Sequence, residues 1–281
     1  MVQQAVNQNA IQPPANLLEQ IQLARIEERY SDIAELIPEE NRGKVFHELL
    51  FPTIISIRDI ENQKDSNKEW MSQILKWRDI DKEGIKRSNS LGWHSRINMH
   101  TREEFIPMGQ QFLLQATEVG RRMGLDESAE PVIVSMWANV SPYGATNRHH
   151  THPGTFLSLA YYVQAPPGCG KICFTDPRAE ANVLIPPFAM DKPRATEALH
   201  EVFYDPIPGR CVMFPSWLGH DVLPNLTQMQ GDDGLRISVS ANIFFTVRIG
   251  KGKMPVKSGH DPMGLLTRDG EIIKGKGILD L

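Results

Sequence analysis

Cysteine is scarce: there are 3 in 281 residues. That excludes a disulfide-built scaffold, whose small core needs many cross-links. Cys169 and Cys173 stand four apart, not at the spacing of a zinc knuckle or redox pair, and with Cys211 they read as packing residues or free thiols. An excess of one charge is also missing. Lys plus Arg is 30 and Asp plus Glu is 34, for a net charge of −4. This argues against a dedicated nucleic-acid binder, which carries a basic surplus, and against a polybasic membrane patch. No run approaches the ~20 apolar residues that a membrane helix needs. The first twenty residues have neither the basic start nor the apolar core of a secretory signal. The expectation is a cytoplasmic protein with no membrane and no nucleic-acid partner.

What is present is ordinary for a globular chain: 41% of residues are hydrophobic and 23% charged. Residues 1–14 are polar and end in Pro13-Pro14, as in a loose arm. From Leu17 the apolar residues recur at helical spacing up to Leu36, with Asn16 as a candidate N-cap. Residues 49–57 are apolar and β-branched, which predicts a strand. Asp59 to about Ile80 reads as a helix with Ile60, Trp70, Ile74 and Trp77 on one side. Glu103 to Met123 reads as a second amphipathic helix, stopped by Gly124. After Pro131 the pattern changes to strands at 132–137, 155–163, 171–174, 210–214 and 235–245, punctuated by Pro, Gly, Asn and Asp. Many short strands with such turns predict a β-sandwich or barrel rather than a parallel α/β sheet. The last 35 or so residues, rich in Gly and Lys, read as a loose or partner-packed tail.

Four of the 9 histidines carry the chemical argument. His149, His150 and His152 fall just before a strand, and His220 closes the run Phe214-Pro215-Ser216-Trp217-Leu218-Gly219-His220. Alternation puts residues i and i+2 on one face, so His150 and His152 can point at one spot while His149 and Thr151 point away. A third imidazole from a distant strand would complete a three-ligand face. Imidazole suits Fe, Zn, Cu and Ni, and three ligands leave positions open for substrate. A chance HHxH in a polar turn is the competing reading. His47, His94, His100, His200 and His260 have no such company and read as structural. Sixteen residues beyond His220, Arg236 interrupts an apolar strand, with Ser238 on the same face. A guanidinium beside a hydroxyl is a carboxylate-binding pair. The alternative is a structural ion pair with Asp176 or Asp205.

Longer words extend this pattern. They are Leu50-Phe51-Pro52-Thr53, Ser88-Asn89 with Gly92-Trp93-His94-Ser95, Trp137 with Asn139, His150-x-His152-Pro153 and Tyr161-Tyr162-Val163. Asp176-Pro177-Arg178, Phe214-Pro215-Ser216-Trp217-Leu218-x-His220 and Arg236-Ile237-Ser238 complete it. In this order, from about Leu50 to Phe245, the chain resembles a bacterial and phage subfamily of 2-oxoglutarate/Fe(II)-dependent oxygenases. The resemblance implies an α+β, mainly β fold: a double-stranded β-helix core of the jelly-roll or cupin-like kind, with flanking N-terminal helices. On that basis 1–48 is an N-terminal arm and helical extension, 49–246 the oxygenase domain and 247–281 a C-terminal tail. It implies Fe(II), 2-oxoglutarate and O2, with succinate and CO2 released as a C–H bond is oxidised. Hydroxylation of a small molecule, an amino acid or a derivative, is the expected outcome.

The resemblance places iron on His150 and His220, and the distal carboxylate of 2-oxoglutarate on Arg236 helped by Ser238, with Tyr162 and Asn147 as further candidates. Most of the superfamily has Asp or Glu two residues after the first His; here His152 stands there. Three readings follow: iron held by three histidines, which is favoured; a position left open, as in halogenating relatives; or a carboxylate from Asp221 or Asp176. Substrate contacts are expected around Trp93-His94-Ser95, Arg96, Asn139 and Arg178, and the tryptophans are otherwise read as core. Homodimer formation is left open. Two other functions compete: a three-His cupin-like dioxygenase without 2-oxoglutarate, and a non-catalytic jelly-roll binding or structural protein.

Overall fold

The computed structural model describes residues 51–247, apart from 179, 181–182 and 184–185, together with 264–273 and positions 43 and 45. The backbone forms two units, Met1–Pro52 and Thr53–Leu281, and the account below concerns the second. The helix expected over 17–36 lies outside the described residues.

Two antiparallel sheets form the second unit. The strands are β1 (Ser56–Asp59), β2 (Asn89–Ser90), β3 (Trp93–His94), β4 (Ala129–Ser141), β5 (Thr146–His150) and β6 (Leu157–Gln164). They continue as β7 (Ile172–Thr175), β8 (Glu201–Tyr204), β9 (Arg210–Pro215), β10 (His220–Val222), β11 (Arg236–Val247), β12 (Leu265–Leu266) and β13 (Ile272–Ile273). The larger sheet runs β1-β9-β6-β11-β4-β12-β13, with β3 also on β4; the smaller runs β2-β5-β10-β7-β8. From β4 to β11 the chain alternates between the sheets, save for the β7–β8 pair that stays in the smaller one, in the order of a double-stranded β-helix, with β9-β6-β11-β4 in one sheet and β5-β10-β7-β8 in the other.

The alternation of side chains along the larger sheet explains why its strands read as both apolar and polar. On β11, Ile237, Val239, Ala241 and Ile243 pack into the helix-side core. Arg236, Ser238, Ser240 and Asn242 between them line a cavity on the opposite face. On β4, Met136, Ala138 and Val140 join that core, while Ser135, Trp137 and Asn139 face the cavity. Further along the barrel the inner face turns apolar, with Ala160, Tyr162, Ile172, Phe174, Val212, Phe214 and Leu218 in one cluster.

Two helices cover the outer face. In α1 (Lys64–Ile80) Asn67, Trp70, Ile74 and Trp77 are buried, the helical repeat read from the sequence. Tyr161 Oη donates to Asn67 Oδ1 at 2.7 Å, and Trp70 meets the Tyr161 ring edge-on. In α2 (Ile106–Arg122) Gly109 and Gly120 let the backbone approach Leu266 and the Phe245 ring. It ends at Gly124, φ +71°, as its sequence predicts.

The expected boundaries shift in places. Over the described part of the expected 49–57 strand, residues 51–57, only β1 forms, and Asp59, expected to start a helix, belongs to it, its carboxylate gripped by Arg210 through Nε (2.7 Å) and Nη2 (2.8 Å). The short β5, β8 and β10 went unrecognised because they carry too few residues for a periodicity. The tail is not loose over 264–273: Leu266 pairs with Ile133 and is fully buried, and Gly264 accepts a bond from His100 Nε2 at 2.9 Å.

Candidate metal and 2-oxoglutarate site

The smaller sheet brings the two distant motifs together. His150 ends β5, His220 begins β10, and the two are register partners. His152 lies in the turn after β5, where its backbone N–H donates to Ser216 O at 2.9 Å. The Phe214–His220 run therefore holds both its own histidine and the turn bearing His152.

Each ring is locked the same way. His150 Nδ1 bonds Arg148 O at 2.7 Å, and His220 Nδ1 bonds Leu218 O at 2.9 Å. His152 Nδ1 bonds Asn242 Oδ1 at 2.8 Å. An oxygen of this kind can only accept, so each Nδ1 carries the hydrogen and each Nε2 a lone pair. The Asn242 amide is oriented by its neighbours, since Ser158 Oγ also donates to Oδ1 (2.8 Å) and Nδ2 donates to Ser135 Oγ (3.1 Å). The three rings form one group with ligand atoms within 4.8 Å of one another, and the Nε2 atoms of His152 and His220 are 3.3 Å apart. Lone pairs facing one another at that distance repel unless a cation lies between them, so the donor set fits a metal.

Burial keeps the rings neutral. It lowers the pKa of His150, that of His152 to about 4 and that of His220 to about 3, and the charge of a neighbouring imidazole adds to it: His149 for His150, and His150 for the other two. Neutral imidazole is the form that ligates a metal. Among the described residues no carboxylate joins the group. Asp176 is instead held by Arg178 through Nε (3.0 Å) and Nη2 (2.9 Å). Aromatic faces enclose the site: Phe214 lies edge-on to His220, and His94, Trp137 and His152 stack in series, 5.4 and 5.5 Å between centroids.

The rings open on a cavity of about 640 Å³. Arg236 lies in its wall, 2% exposed. Its Nη1 donates to the carbonyls of Cys169, Gly170 and Leu223, while its buried Nη2 has no partner. The structural ion pair does not form: Asp176 is taken by Arg178, and Asp205 pairs with Lys171 at 3.0 Å. A buried guanidinium with an unpartnered nitrogen in the wall of a cavity fits an anionic ligand. Ser238, Tyr162 and Asn147 line the same cavity, and Asn147 Nδ2 donates to Ser88 Oγ at 3.2 Å.

Of the expected substrate contacts, only Asn139 and His94 reach the cavity. Trp93 does not: it packs edge-on against Trp77 and donates Nε1 to Asp81 O at 2.6 Å. Arg178 does not either, being exposed and committed to Asp176. Arg96 pairs with Asp81 at 3.1 Å. His94, which read as structural in the metal argument, lines the cavity, and Trp137, which read as core, is part of its wall. Asn242 was missed, although its signal was present: it continues the inward series Arg236, Ser238, Ser240.

The comparisons agree with this geometry. Residues 135–242 match a family model described as "Putative 2OG-Fe(II) oxygenase". That span holds all three histidines, Arg236 and Asn242. No curated protein sequence matches the chain. Among solved structures, the epimerase SnoN in complex with Fe3+, alpha ketoglutarate and nogalamycin RO is 13% identical, with TM-score 0.50, covering 73% of this chain and 90% of its own. A prolyl-4-hydroxylase from Pseudomonas putida is 15% identical, with TM-score 0.46, covering 69% of this chain and 94% of its own. The SnoN likeness concerns the fold alone, and the chemistry enters through the family match, in which residues 135–242 are similar to the 2OG-Fe(II) oxygenases, non-haem iron enzymes that use 2-oxoglutarate.

Proposed function

We propose that the chain hydroxylates a C–H bond of a small molecule, an amino acid or close derivative, with iron held by His150, His152 and His220. Iron bound there with 2-oxoglutarate and O2 supplies the oxidation, and succinate and CO2 are released. The observation that carries the reading is that three imidazoles grouped as metal ligands and Arg236, whose buried Nη2 has no partner, line one cavity.

The residues divide the work. Arg236 gives the far carboxylate of 2-oxoglutarate a charged donor, with Ser238 and Tyr162 beside it. Phe214, Ile172, Leu159 and Ala160 form an apolar wall that excludes water. Asn139 Oδ1, buried and unpartnered, offers an acceptor to a substrate N–H or O–H. His152 favours hydroxylation over halogenation: its imidazole occupies the place that halogenating relatives leave open. Asn147 orients Ser88 near His150, at 3.4 Å from its Nε2.

Among the described residues, no helix is long and apolar enough to cross a membrane. The test of the ligand assignment is anaerobic titration with Fe(II) and 2-oxoglutarate, watching the weak visible band of the chelate. Wild type develops the band, Arg236→Ala loses it while keeping iron, and His220→Ala loses most of the iron. An Arg236→Ala band at the wild-type 2-oxoglutarate concentration would remove Arg236 as the anchor. Unaltered iron content in His220→Ala would remove that ligand.

A further inference from the structure

The charged residues around the cavity are all of one sign. Arg87, Arg148 and Arg236 line it, and among the described residues no Asp or Glu does, in a chain whose net charge is −4. Arg236 is buried and spoken for. Arg87 and Arg148 stand at the exposed side of the same cavity. Strand pairing brings them together. Arg148 N–H donates to Ser88 O at 2.9 Å, and Arg148 Nη2 donates to Arg87 O at 3.3 Å. Neither guanidinium has a salt-bridge partner among the described residues, whereas Arg58, Arg96, Arg102, Arg178 and Arg210 each bond a side-chain oxygen. The charge of Arg87 reaches inward. It disfavours protonation of His94, which burial already keeps neutral. His94 Nδ1 bonds Ser95 O at 2.6 Å, so its Nε2 is left as an acceptor on the cavity side.

We infer that Arg87 and Arg148 form the substrate's anion seat, and that the substrate is a small molecule bearing a carboxylate or phosphate. The anion docks at the cavity mouth, and the rest of the molecule lies inward against Trp137, with donor groups toward His94 and Asn139. Two guanidiniums at a mouth where no described residue supplies a carboxylate also attract anions over distance, raising the capture rate at low salt. The inference rests on the oxygenase reading and deepens it, since Arg236 must be occupied by 2-oxoglutarate for the second seat to serve the substrate.

The experiment is anaerobic calorimetry on the full chain loaded with Fe(II) and saturating 2-oxoglutarate. The probes are paired: N-acetyl amino acids against their C-terminal amides, and glycerol phosphate against glycerol. Wild type is expected to bind acid members and to ignore the neutral ones, and the carboxylate and phosphate arms tell the two anions apart. Arg87→Ala/Arg148→Ala is expected to weaken that binding at least ~10-fold, while the 2-oxoglutarate band forms at the wild-type concentration. Equal binding of amides and acids, unchanged binding in the double variant, or no anion binding in any pair would overturn the inference. Failure of the 2-oxoglutarate band in wild type would instead overturn the oxygenase reading, so the two failures are distinct.

Discussion

His152 Nδ1 lies 2.8 Å from Asn242 Oδ1, a bond between the turn after β5 and the middle of β11. The other two rings bond backbone carbonyls close in sequence. Only His152 depends on a distant side chain, one held in turn by Ser158 and Ser135. Asn242→Leu removes the acceptor and leaves a buried N–H unpaired. Loss of such a supporting bond costs about 10–100-fold in metal affinity. We expect that loss in anaerobic Fe(II) titration, with circular dichroism unchanged. Asn242→Asp keeps an acceptor and is expected to bind iron. A Leu variant with the wild-type constant would show that packing alone holds the ring.

Arg236 is aimed by a turn that only glycine can make. Gly170 sits at φ +91°, and a Cβ there would collide with the Leu223 and Pro224 carbonyls and lie 2.8 Å from Arg236 Nη1. Gly170→Ala is therefore expected to displace the guanidinium and raise the 2-oxoglutarate concentration for half the visible band about 10-fold or more, with iron affinity unchanged. Gly168→Ala is the control. It shares the left-handed backbone, φ +77°, but its nearest neighbour is 3.7 Å away. It should cost about 1–2 kcal/mol of stability through strain alone and leave 2-oxoglutarate binding intact. Equal effects of the two substitutions on 2-oxoglutarate would refute the aiming role of Gly170.

The parts of this site legible in the sequence are those fixed by local alternation. Arg236 and Ser238 share a strand face, and His150-x-His152 with a remote His220 carries metal spacing. Trp93 shows where such reading fails. It is register partner to Val140, on the core side of β4, whereas its neighbour His94 pairs with Asn139, on the cavity side. A single position separates wall from core, and residues 88–95 carry no periodicity to say which is which. Arg178 misled for a different reason: its partner Asp176 is two residues away, so the pair is satisfied locally. Arg87 and Arg148 meet through pairing of β2 with β5, strands of 2 and 5 residues, too short to be read from hydrophobicity. The core helices were legible because a helical repeat persists for four turns.

Residues 264–273 pair along the edge of β4 away from β11. Leu266 is fully buried against Gly109 and Ile133. Leu266→Ala leaves a cavity that α2 cannot fill, because Gly109 has no side chain to collapse into it. The expected cost is about 2–5 kcal/mol, read as a lower midpoint in urea with unchanged slope. Iron affinity should hold, since the residue faces away from the histidines. A midpoint equal to wild type would mean that the hairpin is not docked in solution.

His100 is expected to make the stability of the fold pH-dependent. It is fully buried, its Nε2 donates to Gly264 O, and its Nδ1 has no partner. Burial lowers its pKa below the ordinary 6.5, the bond to Gly264 opposing this in part. Below pH 6.5 the unfolded chain takes up a proton at this position that the folded chain refuses. The unfolded state then binds more protons, so stability falls as pH drops from about 7 toward the folded pKa and levels off beneath it. His100→Gln keeps a donor for Gly264 and removes the titration. Urea unfolding of the metal-free protein at pH 7 and pH 5 should therefore show a smaller loss of stability in His100→Gln than in wild type. The other buried histidines contribute equally to both proteins and cancel in the difference. Equal losses would mean that His100 is protonated within the fold, and the unpaired Nδ1 would then have to find an acceptor.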